Sequence, residues 1–250
     1  MGGRGGRNAA GGGGATARAQ TAAPAPVVPV KNVDRWGFAD SDDADFHQLY
    51  NGRGYYRQQQ FSQATRDALD IYVDPNATRG SLYSPSQQLN YAMKEGLPLT
   101  AQQRQMVTDI NAGMHNIGYN VETTRYARVD FMANLNMGVS NFSRMSIQQI
   151  RNAIVGKSFT EDGFISSSYN NFRNAPNGGR PFTDKAVKIN YKAKASTQAL
   201  MAPIGGGGAL GEMLFAPNQT YKITGVRFTG QLGRSGGSYY NQIELVVEVG

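Results

Sequence analysis

The order of two kinds of pattern restricts this chain more than any other feature. Helical periodicities fill the first half of its folded region, and short β-rich runs fill most of the second. Residues 62–73, SQATRDALDIYV, predict a short helix. Ser84 followed by Pro85 supplies a helix cap and a first-turn residue whose missing N–H has no partner to lose, and the segment runs through Leu89 and Met93 to Gly96. Thr100 is placed to cap a third helix, in which Met106, Ile110 and Met114 recur every four residues along one face. From YNVETTRYARV onward, β-formers and mixed alternation take over. One helical run interrupts them: MSIQQIRNAIVG opens at Ser146, spaces Ile147, Ile150 and Ile154 by three and four, and stops at Gly156. Then come GFISSS, KAVKINYKA, TQALMAP, EMLFAP, TYKITGVRFTG and YNQIELVVEV, each short, most of them parted by glycine, proline or asparagine. No regular βαβ alternation is present. Helices followed by runs of strands predict an α+β domain, a mixed or antiparallel β core under an N-terminal helical cover.

The chain ahead of this region reads differently. Residues 1–33 are a glycine-, alanine- and proline-rich tail in which Arg4, Arg7 and Arg18 are the charged side chains of the first thirty positions. Ordering so much glycine costs more entropy than such small side chains recover by burial, so a flexible linker or a basic arm is expected. Residues 34–54 form a transitional acidic segment, with Asp40, Asp42, Asp43 and Asp45 around Ser41. It lacks the spaced oxygen ligands and closing glutamate of a calcium loop and reads as solvated surface or helix-start chemistry. Residues 55–250 are the expected folded domain.

Composition removes several chemistries. The chain has no cysteine, which excludes a disulfide framework, a zinc-thiolate site and a thiol nucleophile. Its two histidines, His47 and His115, cannot form a three-histidine metal site and read as structural or surface residues. No metal is expected. No segment approaches the roughly 18 apolar residues needed to cross a bilayer, so no membrane span is expected. The net charge of +7 favours acidic partners, but its lysines and arginines are scattered, which argues against a dedicated nucleic-acid module. GxxxxGK does not occur, and the glycines at 205–208 lead into Ala209-Leu210-Gly211-Glu212 with no lysine.

Three polar features interrupt the apolar strands: Arg125 within VETTRYARV, the triplet Ser166-Ser167-Ser168 closing GFISSS, and Glu212 ahead of Met213-Leu214-Phe215. Singly, they read as an exposed strand arginine, turn serines and a solvated glutamate. In this order they resemble the ADP-ribosyltransferase exoenzyme family, in its arginine–serine–glutamate branch of bacterial toxins and phage transferases. The stretch MSIQQIRNAIVGKSFTEDGFISSS matches that family's helix, GxxF-type turn and serine-threonine-serine strand, with Ser167 in place of threonine. GSLYSPSQQLNYAMKEG and a helix over 101–117 resemble its cover region, and Gly211-Glu212-Met213-Leu214-Phe215-Ala216-Pro217 its catalytic glutamate segment.

The resemblance implies an NAD-cleaving transferase, with NAD as substrate and a macromolecular acceptor, most readily a protein and alternatively a nucleic acid. Glu212 takes the part of the catalytic glutamate, with an ordinary carboxylate pKa expected because the ionised form is the useful one. Arg125 takes the part of the phosphate-binding arginine, with Arg128 the competing candidate. Ser166 would hold Glu212 and the ribose–nicotinamide side, Ser168 would support neighbouring groups, and Phe172 (or Phe182) would lie against nicotinamide. Leu210 falls in the acceptor-facing loop, where family members that modify arginine carry glutamate and many others carry glutamine. That departure weakens arginine-specific transfer and keeps NAD hydrolysis open. A non-catalytic interaction domain is the third reading. The cell interior is the default location, with secretion or injection into a host cell as the alternative, and the oligomeric state is not specified.

Overall fold

The computed structural model describes residues 61–74, 83–118, 120–138, 142, 144–168, 185–202 and 212–250. The acidic segment, His47, Phe172, Phe182, Leu210 and the 205–208 glycines lie outside them.

Three helices open the described region: α1 (Gln63–Val73), α2 (Pro85–Lys94) and α3 (Ala101–Ala112). Each begins where its cap residue stands. Ser62 accepts from the Thr65 N–H, and Ser84 and Thr100 form reciprocal capping boxes with Gln87 and Gln103, satisfying amide groups the helix itself leaves unpaired. Thr65 Oγ1 also donates to the Asp109 carbonyl at 2.8 Å, tying α1 to α3.

The third helix is shorter than its periodicity implies. It ends at Ala112, and Met114 lies beyond it, though still packed against the helical core. The next residues form β1 (His115–Asn116), which pairs with β6 (Gln198–Ala202), and the Ile117 N–H donates to the Thr197 carbonyl at 3.1 Å. Sheet pairing therefore outcompetes one more helical turn.

The remaining elements are β2 (Val121–Ala127), a 3-10 helix (Val129–Leu135), α4 (Ile147–Ile154), β3 (Ser158–Thr160), β4 (Ile165–Ser168), β5 (Val187–Ala193), β7 (Glu212–Phe215), β8 (Thr220–Ser235) and β9 (Ser238–Val249). The strands form a nine-stranded sheet in the order β1-β6-β7-β4-β2-β5-β9-β8-β3, antiparallel except for the parallel β5–β9 pair. The fold is thus the mixed, largely antiparallel core expected. Two local readings differ. The strand of Arg125 stops at Ala127 and turns into the 3-10 helix, and the last two strands are long. The β8–β9 hairpin, 16 and 12 residues, absorbs a segment that looked like a separator, because Gly236 and Gly237 both take positive φ (57° and 87°) and close a tight turn.

Two apolar clusters hold these layers. In one, Leu69, Tyr72, Leu89 and Ile110 of the helices pack on Phe164, Leu200 and Leu214 of the sheet. In the other, Ile150 and Ile154 of α4 and Met132 of the 3-10 helix join the inner faces of β4, β5, β7, β8 and β9. Each fully buried leucine or isoleucine is worth about 1.5–3 kcal/mol relative to exposure. The α1–α3 group is therefore the expected cover of the sheet, and it lies against the strands that carry the serines and Glu212.

Candidate active site

Strand register brings together residues far apart in sequence. β7, β4 and β2 are neighbours, with Glu212 opposite Ser168 and Ser168 opposite Thr124. One row across three strands thus contains Glu212, a serine of the triplet and the residue before Arg125. Because side chains alternate along a strand, Ser166 and Ser168 share the face of Glu212 and Ser167 takes the other. The contacts agree: Ser166 Oγ donates a hydrogen bond to Glu212 Oε1, whereas Ser167 Oγ donates to the Met213 carbonyl at 3.3 Å. Ser168 is buried at the Thr124–Glu212 row.

Glu212 is half-buried at the start of β7. Burial pushes its pKa up, while the hydrogen bond from Ser166 and the charge of Arg125 pull it back down. The ordinary pKa expected from sequence is therefore not what the fold provides. Desolvation wins, as it does for a carboxylate set among apolar neighbours with one hydroxyl for company. Tyr72 stands in the same environment. It is buried, its pKa is raised first by desolvation and then by the Glu212 charge, and its hydroxyl accepts from Asn90 Nδ2 at 2.8 Å.

Asn90 is a residue the sequence reading passed over. Its other amide atom, Oδ1, accepts from the Phe164 N–H at 2.9 Å, so one side chain of α2 clamps Tyr72 and the turn leading into the serine strand. A Cβ on Gly163 would come within 2.9 Å of that Oδ1, so a side chain there would push Asn90 out of this arrangement. The signal was present in the glycine of GFISSS, but the hydrogen bond it makes room for, from Phe164 to Asn90, spans 74 residues.

The two candidate arginines occupy different places. Arg125 follows Thr124 in β2, and its charge is felt at both Glu212 and Tyr72. Arg128 begins the 3-10 helix beside the β8–β9 turn, where a Cβ on Gly236 would lie 3.7 Å from its Nη2. His115 is half-buried, with Nδ1 3.1 Å from the Gly113 carbonyl oxygen, in keeping with a structural role. Among the described residues no group of three or more histidine, cysteine, aspartate or glutamate side chains is arranged to hold a metal, and no helix is long and apolar enough to cross a membrane.

Comparison with known families decides the assignment. The model of the ADP-ribosyltransferase exoenzyme family matches residues 48–245. The chain belongs to this family. As an ADP-ribosyltransferase exoenzyme it is an NAD-dependent enzyme, and NAD is its substrate. Among solved structures it is similar to the C3 exoenzyme of Clostridium limosum, with 19% identity and a TM-score of 0.61 over 85% of this chain and 97% of that one. It is similar also to an ADP-ribosyltransferase of Clostridium botulinum, with 17% identity and a TM-score of 0.57 over 85% and 98% of the two chains. A protein of S. aureus, solved with NAD, matches at 14% identity and a TM-score of 0.57, over 83% of this chain and 96% of that one. At these identities the structural likeness speaks for the fold. No curated protein sequence matches the chain.

Proposed function

We propose that this ADP-ribosyltransferase is a mono-ADP-ribosyltransferase acting on a protein, with Glu212, Ser166 and Arg125 as its working unit. The observation that carries the reading is the pairing of Ser166 with Glu212 within reach of the Arg125 charge, three residues gathered from β4, β7 and β2.

The chemistry follows from charge. As the bond between the ribose C1′ and the nicotinamide nitrogen breaks, the bonding pair leaves with nicotinamide and positive charge builds on the ribose. A carboxylate fixed nearby stabilises that charge without forming a bond to the sugar. Glu212 supplies it. The nucleophile of the acceptor then attacks C1′ and gives up its proton. Arg125 offers the planar fork that suits the pyrophosphate oxygens. Ser166 orients Glu212, and Ser168 supports the same row from within the sheet. Phe172 against the nicotinamide ring remains a sequence-based assignment.

A protein acceptor and action outside the producing cell are favoured by the relatives, which are exoenzymes and toxins. Leu210 favours a second reading, NAD glycohydrolase with water as the acceptor, because it replaces the glutamate or glutamine of the resembling family. The two are separated by incubating the protein with NAD labelled in its adenylate half, with and without cell lysate. Transferase action labels a protein and releases nicotinamide, both dependent on Glu212. Nicotinamide release with no labelled macromolecule in any lysate would instead assign hydrolysis.

A further inference from the structure

Among the described residues three buried side-chain hydroxyls have no hydrogen-bond partner: those of Thr123, Tyr191 and Tyr221. They are not scattered. Thr123 lies opposite Tyr191 in the β2–β5 register, and the Tyr191 and Tyr221 rings meet edge to face at 5.7 Å. Thr123, Tyr191 and Tyr221 are all within 1% of full burial. Tyr191 also packs edge to face on Phe215 of the Glu212 strand at 5.6 Å.

An unpaired buried hydroxyl is destabilising, and a phenylalanine or valine of the same shape is free of the penalty. Three such groups in one patch call for a compensating use. Arg125 is placed to supply it. It is on the same β2 face as Thr123, two residues on, and diagonal to Tyr191 across the β2–β5 pair, since Tyr191 is opposite Thr123 and Ile189 opposite Arg125. Such diagonals are within reach of long side chains. The Tyr191 hydroxyl has no partner at strict hydrogen-bond geometry, yet the Arg125 side chain acts on it: burial pushes the phenol up to about 12, and both the Arg125 charge and a looser hydrogen bond from Arg125 oppose the rise.

We propose that Tyr191 is a positioning residue for Arg125, its hydroxyl, backed by those of Thr123 and Tyr221, anchoring the guanidinium where its charge reaches Glu212. This rests on the reading of Arg125 as the residue that binds the NAD pyrophosphate. An oxygen behind the guanidinium fixes the rotamer of a long, flexible side chain and leaves its outer N–H groups for phosphate. In this arrangement stability is given up for orientation.

Tyr191→Phe in the full chain tests it, because only the oxygen is lost. Thr123→Val is the companion. NAD binding is measured by calorimetry, alongside KM and kcat for nicotinamide release and thermal melting. The expected result for Tyr191→Phe is NAD affinity weakened by about tenfold, as for loss of a hydrogen bond to a charged group, with KM raised more than kcat is lowered and melting unchanged or higher. In an Arg125→Lys background the same substitution should weaken NAD no further. If Tyr191→Phe and Thr123→Val raise the melting temperature and leave NAD affinity and KM as in the wild type, the hydroxyls are packing defects and the assignment falls. If the folded wild-type chain itself binds no NAD, the functional reading fails first and takes this inference with it.

Discussion

Two acidic side chains sit on opposite halves of the same sheet and are treated in opposite ways. Glu244, in β9, is 3% exposed and is held by two cations. Lys188 Nζ of β5 lies 2.9 Å from its Oε2, and Arg227 of β8 reaches its Oε1 with Nε at 2.9 Å and Nη2 at 2.6 Å. Glu212, at the start of β7, is only half-buried and has a hydroxyl where Glu244 has two charges. Its nearest compensating cation acts through space, and its pKa stays raised by burial. A carboxylate saturated by charged partners is part of the scaffold. One left short of positive charge suits the role proposed for Glu212, in which a ribose losing nicotinamide brings that charge.

The comparison can be broken by exchanging the two fates. Glu244→Gln removes the anion between two cations, and unfolding should require about 2–3 kcal/mol less, below the full cost of splitting a buried pair because Lys188 and Arg227 can turn toward water. Denaturant melts would show it, with the turnover of still-folded protein unaltered. Glu212→Gln should go the other way. A raised folded pKa means that the folded state holds the proton more tightly than the unfolded chain, so ionised Glu212 detracts from stability as pH rises through the ordinary glutamate range toward the folded value. At neutral pH the amide should melt at or above the wild type, and a clear loss of stability would contradict the desolvated environment described for Glu212.

Ser166→Ala sharpens the point further. Losing a hydrogen bond to the ionised form raises the Glu212 pKa again, so the acid limb of the nicotinamide-release profile should move to higher pH, with the plateau rate lowered by about tenfold. An unmoved limb would mean that Ser166 does not tune Glu212. The smallest effect is expected at Arg227, whose side chain is 69% exposed. Arg227→Gln should cost less than about 1 kcal/mol, with Lys188 still in place.

What the sequence disclosed divides along a physical line. Helix starts were legible because caps act within four residues: Ser84, Thr100 and Ser146 each close a capping box at the position their residue type indicates. Arg125, the serine triplet and Glu212 were singled out in the sequence by their order, which resembles that of the family, since each alone has an ordinary reading. The strand order was not, since the Thr124–Ser168–Glu212 row depends on pairings between distant segments. The length of the β8–β9 hairpin was hidden by its glycines, and the end of α3 by a periodicity running on through Met114 into a residue that belongs to no helix. Asn90, which joins α2 to Tyr72 and the Phe164 turn, has no local signature at all. Nor do the unpaired hydroxyls of Thr123, Tyr191 and Tyr221, which look like ordinary strand residues until they are seen buried together.

The central claim is that Glu212 acts on the bond being broken in NAD. Nicotinamide release under single-turnover conditions, compared between the wild type and Glu212→Gln with NAD binding measured on both, tests it most directly. The account predicts that the variant folds, binds NAD within a few-fold of the wild type, and releases nicotinamide more slowly by about 10²–10³, the range for removing one group that stabilises developing charge. A folded, NAD-binding variant whose release rate stays near that of the wild type would contradict it.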